Sequence, residues 1–156
     1  MKKVKLMLVT LMMTTGFSSF AQMPGNSTNP KLIAVVNRAN WCGVCKANAE
    51  RFSKVLMPYS SKAVNIYLND LTNDSTKTVS KQELEKANVY ATVNSIPRKG
   101  MSKALKACHM VKDKKQIQDV AGIVTFIDPV TNRQLKQVSI SVSDEEMNSI
   151  ITKLLN

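Results

Sequence analysis

Apolar and polar positions fall along this chain in blocks whose lengths separate strands from helices. Leu32-Ile33-Ala34-Val35-Val36 is an unbroken apolar run of strand length, the pattern of a strand buried on both faces. From Lys46 to about Met57, residues Ala49, Phe52, Val55 and Leu56 share one face at helical spacing and predict an amphipathic helix. Pro58 and Ser60-Ser61 mark its stop. Val64 to Leu68 then predicts a second strand, parallel to the first through a βαβ connection. Asn69 to Thr78 is polar and turn-like, and Ser80-Lys81-Gln82-Glu83 matches a capping box that opens a helix with Leu84, Ala87 and Ala91 inward. Pro97 and Gly100 break that helix. A further helical pattern carries Met101, Leu105 and Cys108 on one face and extends or restarts toward Ile117 and Val120. Gly122 to Asp128 predicts a third strand, Asp128 to Arg133 a turn, and Gln134 to Ser141 an antiparallel partner. Ser143 to Glu146 is a second capping box, ahead of a last helix with Met147, Ile150, Ile151, Leu154 and Leu155 on one face. The expectation is an α/β domain with a four-stranded mixed sheet flanked by helices, and a helical insertion at about residues 80–120.

The first residues belong to a different pattern. Lys2, Lys3 and Lys5 precede a largely apolar stretch from Leu6 to Phe17, and Ser19-Phe20-Ala21 is a small-x-small cleavage site. Residues 1–21 are therefore expected to be a signal peptide, too short to span a bilayer comfortably, that sends the chain to the periplasm or outside the cell. Gln22 to Pro30 is a polar, turn-rich linker, and one domain is expected from residue 31 to residue 156.

Charge and cysteine usage sharpen this picture. The 156 residues carry a formal net charge of +11, and removal of the three leader lysines leaves a chain that is still basic. Arg98, Lys99, Lys103, Lys106, Lys112, Lys114 and Lys115 concentrate that charge in the helical insertion. Outside the cytosol nucleic acid is not the expected partner; an acidic protein or an anionic surface fits the compartment, and a solvated lysine face kept for solubility is the bland alternative. Disulfides persist in that compartment, and three cysteines make a reactive pair plus one leftover rather than a disulfide framework.

The pair is Trp41-Cys42-Gly43-Val44-Cys45-Lys46, between the first strand and the first helix. Backbone N–H groups at a helix N-terminus lack intrahelical acceptors, and the macrodipole is positive there. A thiolate at that point is stabilised and its pKa falls. Cys42, nearer the loop, is expected to be the attacking sulfur, and Cys45, one turn on and more buried, the resolving one. Gly43 permits a tight turn and close approach of a substrate, and Lys46 adds positive charge. Half of a zinc site or a plain structural disulfide are the other readings of the spacing. Haem attachment needs a histidine directly after Cys45, where Lys46 stands.

From Val35 through Lys46 the chain resembles the active-site strand, loop and helix of the thioredoxin superfamily, whose signature is Trp-Cys-x-x-Cys-Lys after a buried strand. The resemblance implies a thioredoxin-like fold and an exported thiol–disulfide oxidoreductase that reduces or rearranges protein disulfides. It would need no cofactor beyond a redox-active Cys42–Cys45 disulfide, and would draw electrons from a membrane donor. Three positions depart from the family. Gly122-Ile123-Val124-Thr125 stands where the family has a cis proline facing the sulfurs, so Val124 takes the proline position and Ile123 inherits the substrate-pairing role. A trans bond is expected before Val124, since cis before a non-proline costs about 3–4 kcal/mol. Ile96-Pro97 is a rival for the cis proline. Val36 stands at the place of the family's buried acid, and Val44 replaces the proline common between the cysteines.

Cys108-His109-Met110 offers three soft or borderline ligands that could complete a zinc or copper site with Cys42 and Cys45. Adjacent residues on a helix point about 100° apart, and Cys108 shares an apolar face with Met101 and Leu105, so a buried structural thiol is favoured. A metal-binding module on Cys42, Cys45, Cys108 and His109, and a non-catalytic protein that holds an acidic partner on its basic helices, stand as rivals to the oxidoreductase.

Overall fold

In the computed structural model, which describes residues 27–60, 62–94 and 120–156, the apolar run forms β1 (Leu32–Arg38), buried along all but its last residue. Then come α1 (Gly43–Val55), a 3₁₀ turn at Met57–Tyr59, and β2 (Val64–Asp70). Helices α2 (Asp74–Lys86) and α3 (Tyr90–Asn94) precede β3 (Ile123–Ile127), β4 (Gln134–Ser139) and α4 (Asp144–Leu155). The four strands form one mixed sheet in the order β2-β1-β3-β4. β1 is parallel to β2, with Leu32 opposite Val64 and Arg38 opposite Asp70. β3 is antiparallel to both β1 and β4.

Strand alternation explains why β1 lies inside the sheet. Leu32, Ala34 and Val36 join Val124, Phe126, Leu56, Met147, Ile150 and Ile151 on one face, under α1 and α4. Ile33 and Val35 join Leu84, Val89, Val93 and Ile127 on the other, under α2 and α3. At about 1.5–3 kcal/mol for each large aliphatic side chain taken from water, a strand that is apolar on both faces is stable only with neighbours on every side. The β3–β4 connection is held by Asp128, whose carboxylate accepts from the Val130 N–H at 2.8 Å and from the Thr131 hydroxyl at 2.8 Å.

Several boundaries differ from the expected ones. The helix expected to open at Ser80 opens at Asp74: Asn73 Oδ1 accepts from the Thr76 N–H at 3.0 Å, and Thr76 Oγ1 accepts from the Asn73 N–H at 3.1 Å. This reciprocal cap starts a helix through the polar stretch that reads as a turn. Ser80 is a buried mid-helix residue, its hydroxyl accepting from the Asp70 N–H at 2.9 Å. α2 ends at Lys86 with Ala87 as its C-cap, Asn88 takes a left-handed φ of 57°, and Val89 and Val93 are buried while Ala91 is exposed. β2 runs two residues past Leu68. On α1, Ala49 is exposed, and the face turned toward the sheet carries Val44, Phe52 and Val55. The leader at residues 1–21, most of the linker, the basic lysines 98–115 and the Ile96-Pro97 bond lie outside the described residues, as does most of the insertion. Among the described residues no helix is long and apolar enough to cross a membrane.

Candidate functional site

The carboxyl ends of the parallel strands β1 and β2 carry two loops that are tied together. The Leu71 N–H donates to Arg38 O at 2.8 Å, and the Asn40 N–H donates to Thr72 Oγ1 at 3.0 Å. Trp41 Nε1 donates to Leu71 O at 3.1 Å, which holds a ring that is otherwise 48% exposed. Asp70 anchors the second loop, accepting from the Thr72 N–H at 3.0 Å and pairing with Arg38 at 3.0 Å. Burial pushes the Asp70 carboxyl up, but the Thr72 hydrogen bonds and the Arg38 guanidinium outweigh it and hold the group below its ordinary value. These ties fix the entry of the chain into α1.

Cys42 is the N-cap of α1, with extended backbone angles, and its sulfur accepts from the Cys45 N–H at 3.1 Å. The two sulfurs form a disulfide, with a Cα–Cα separation of 5.2 Å. The first turn of α1 contains no acidic side chain. Lys46 and Gly43 are exposed, and apart from its chain neighbours and the helix's own backbone no described atom lies within 4 Å of where a Gly43 Cβ would stand. A thiolate on Cys42 would therefore meet an open N–H, an unneutralised helix dipole and no nearby carboxylate in its own turn.

Comparison of the chain with family models, with curated proteins and with solved structures gives no match. The site's chemistry therefore rests on its geometry.

Cys45 is not the more buried of the two: Cys42 is 2% and Cys45 8% exposed. The reason lies opposite them. Ala39, Leu71 and Ala121 pack with the pair, and Gly122 stands over it with a left-handed φ of 83°. A Cβ on Gly122 would sit 3.5 Å from Cys42 Sγ, 3.7 Å from Val44 Cγ1 and 3.8 Å from Cys45 Sγ. The residue facing the sulfurs is thus Gly122, two positions before the expected Val124. Val124 is paired with Val36 inside the sheet, and Ile123 with Asn37. Both are buried in β3, and Val124 is fully enclosed. No peptide bond among the described residues is cis.

The structure thus brings Trp41, Cys42, Gly43, Val44, Cys45 and Lys46 together and leaves Val124 in the sheet interior. Cys108 and His109 lie outside the described residues, among which no group of three or more His, Cys, Asp or Glu side chains could hold a metal. The sequence reading passed over Asn37 and Asn69. Both are buried at the site end of the sheet, at 2% and 5% exposure, with Asn69 Nδ2 donating to Asn37 Oδ1 at 2.9 Å. Two amides closing apolar strands were the available signal, since a buried amide is kept only where its hydrogen bonds are met.

Proposed function

We propose that this chain is an exported thiol–disulfide oxidoreductase with a thioredoxin-like fold. The observation that carries the reading is the Cys42 sulfur at the cap of α1, bonded to Cys45 and accepting the Cys45 N–H of the helix's first turn. The strand order β2-β1-β3-β4, with β1 and β2 joined through α1, supports the fold. In the reducing direction the Cys42 thiolate attacks one sulfur of a substrate disulfide. That bond breaks, one substrate thiolate leaves and takes a proton, and a mixed disulfide forms on Cys42. The Cys45 thiolate then attacks Cys42 Sγ, the mixed disulfide breaks, and the second substrate thiol departs. Two electrons pass to the substrate and the Cys42–Cys45 bond is restored. A dithiol donor must return them, and for an exported protein that donor is at the membrane. Trp41, Gly43 and Lys46 form the exposed rim that a substrate protein meets. Export itself rests on the charged, apolar and small-residue sequence of the first 21 residues.

The test is a redox titration of the protein in glutathione or dithiothreitol buffers, with Cys42 and Cys45 read by mass after thiol trapping. A reversible two-electron transition supports the reading; a midpoint near roughly −270 mV marks a reductase and one near roughly −120 mV an oxidant. Cys45→Ser is expected to accumulate a mixed disulfide on Cys42 with its protein substrates. A pair that shows no reversible transition, together with a Cys45→Ser variant that traps nothing, would overturn it.

A further inference from the structure

We propose that Asn37 is a positioning residue of this site: its side-chain amide latches the Val120–Gly122 segment against the disulfide and so limits how readily an outside thiol reaches the two sulfurs. The inference rests on the thiol–disulfide reading above. Asn37 grips the segment twice. Its Nδ2 donates to Val120 O at 3.0 Å, and its backbone carbonyl accepts from the Gly122 N–H at 2.7 Å. Between those two bonds lie Ala121, fully buried in the cysteine cluster, and then Gly122, one methyl's width from both sulfurs. The amide itself is held from the far side by Asn69 Nδ2.

Only the first of these bonds needs a side chain. The backbone bond continues the β1–β3 ladder, and any residue at position 37 would supply it. An apolar side chain would fill this buried place without a polar group to desolvate. What the amide adds is a fixed position for Val120, the residue from which the chain descends onto the disulfide. Gly122 contributes no side chain to the cover, so closeness to the sulfurs depends on where the backbone is held. With the latch closed, Cys42 is almost sealed; with it open, the bonds that remain among the described residues are at one end of the segment, the Gly122 N–H to Asn37 O and the Ile140 N–H to Gly122 O at 2.9 Å. Access to the sulfurs then follows the population of the open segment.

The experiment follows reduction of the oxidised protein by excess dithiothreitol. One reductant thiolate attacks a sulfur of the pair and releases the other cysteine as thiolate. The second reductant thiol closes its own ring and releases the first, so two electrons enter the protein. Asn37→Leu and Asn37→Asp both remove the donor to Val120 O, and each is expected to be reduced roughly three- to tenfold faster than wild type. Asn69→Leu leaves that donor in place but frees the amide that it orients, and is expected to raise the rate less than either Asn37 variant does, by under about threefold. The ratio of Asn37→Asp to wild type should fall toward one in acid, where a protonated carboxyl again donates to Val120 O, and rise as it ionises. Division by wild type at each pH removes the titration of the reductant and the common field of Arg38, Asp70 and Lys46, the charged side chains that flank this end of the strands among the described residues. Folded Asn37 variants with wild-type rates, an equal rise in Asn69→Leu, or a raised ratio that ignores pH would each overturn the latch. If the variants do not fold, the unaltered protein decides. Urea too dilute to unfold it should speed exchange of the Asn37 side-chain amide, the donor of the latch, and disulfide reduction together, and reduction that stays constant while that amide exchanges faster overturns the proposal. A wild-type pair without a reversible transition sinks the oxidoreductase reading itself, whereas a reversible pair with unaffected Asn37 variants sinks only the latch.

Discussion

Helices α1 and α4 begin with the same device and use it differently. At α4 the Ser143 hydroxyl accepts from the Glu146 N–H at 3.1 Å; at α1 the Cys42 sulfur accepts from the Cys45 N–H at 3.1 Å. The first turn of α4 holds three carboxylates, Asp144, Glu145 and Glu146, and Asp144 also pairs with Arg51 of α1. The first turn of α1 holds none. Permanent anions neutralise the positive end of α4, and that terminus is a structural joint. Among the side chains of its own first turn and cap, the positive end of α1 is met only by sulfur, neutral in the disulfide and able to become anionic once reduced. The difference teaches that a cap becomes a chemical site when its capping atom can change charge and nothing else in the turn already satisfies the dipole.

Replacing the capping atom separates the two roles most sharply. Cys42→Ser keeps an acceptor for the Cys45 N–H, and serine is a strong N-cap, so stability relative to the reduced wild type is expected to move by less than about 1 kcal/mol. The two-electron transition is expected to vanish completely. Urea unfolding of both proteins under reducing conditions, with thiol trapping on the same samples, checks both halves. Loss of folding in Cys42→Ser would make the cysteine a structural element and erase the contrast with Ser143.

The next largest effect is expected at Gly122. With its φ of 83°, an alanine there carries a left-handed conformation that costs about 1–2 kcal/mol for an L-residue. Its methyl would lie 3.5 Å from Cys42 Sγ, an ordinary contact that covers the sulfurs rather than displacing them. Gly122→Ala is therefore expected to lower stability by that amount and to slow thiol exchange in the protein that remains folded. An exchange rate equal to wild type would show that substrates do not approach past Gly122.

Much of this arrangement was legible from residues alone, and the misses share a cause. The run Leu32–Val36 announced a two-sided core strand, and Met147, Ile150 and Ile151 announced the last helix, because burial writes itself as hydrophobic period. The start of α2 was illegible because its first turns, Asp74 to Thr78, are polar and solvated, and only the Asn73–Thr76 exchange of hydrogen bonds defines it. The residue facing the sulfurs was misplaced because register is a relation between strands. Val124 pairs with Val36, six residues before Cys42 and well inside the sheet, so it cannot reach the strand ends where the disulfide sits. Gly122, whose N–H donates to Asn37 O at 2.7 Å beyond the last pair of that ladder, can.

Truncating the joint at the other helix is expected to have a smaller and purely structural effect. Ser143→Ala removes the acceptor for the Glu146 N–H and is expected to cost about 1 kcal/mol. The midpoint of the Cys42–Cys45 transition should stay where it is. A thermal melt and the redox titration, run side by side, separate these outcomes. A midpoint that moves with Ser143 would mean that the two helix starts communicate, through Arg51 for instance, which bridges Asn48 of α1 to Asp144 and Val142.

The smallest expected effect is the most direct measure of the contrast, because it makes α1 resemble α4. Gly43 is the first residue of α1, it is exposed, and a Cβ there meets no described atom within 4 Å apart from its chain neighbours and the helix's own backbone. Gly43→Glu therefore places a carboxylate in the first turn without disturbing the packing of the pair. A carboxylate at this position interacts favourably with the helix terminus by about 0.3–1 kcal/mol, and the Cys42 thiolate must now share that field with a like charge. The thiolate is destabilised, so the Cys42 pKa is expected to rise by roughly 0.2–0.7 unit. Where Cys42 is ionised in the reduced protein, the reduced form loses the same free energy and the disulfide gains on it. The midpoint potential then falls by about 6–20 mV, since 30 mV corresponds to about 1.4 kcal/mol for two electrons. The sign is the test. Raised salt should shrink the shift, because the new charge is exposed and screened. A midpoint that rises, or a shift indifferent to salt, would mean that the potential is governed by the buried wall of Ala39, Leu71, Ala121 and Gly122 rather than by the field of the helix.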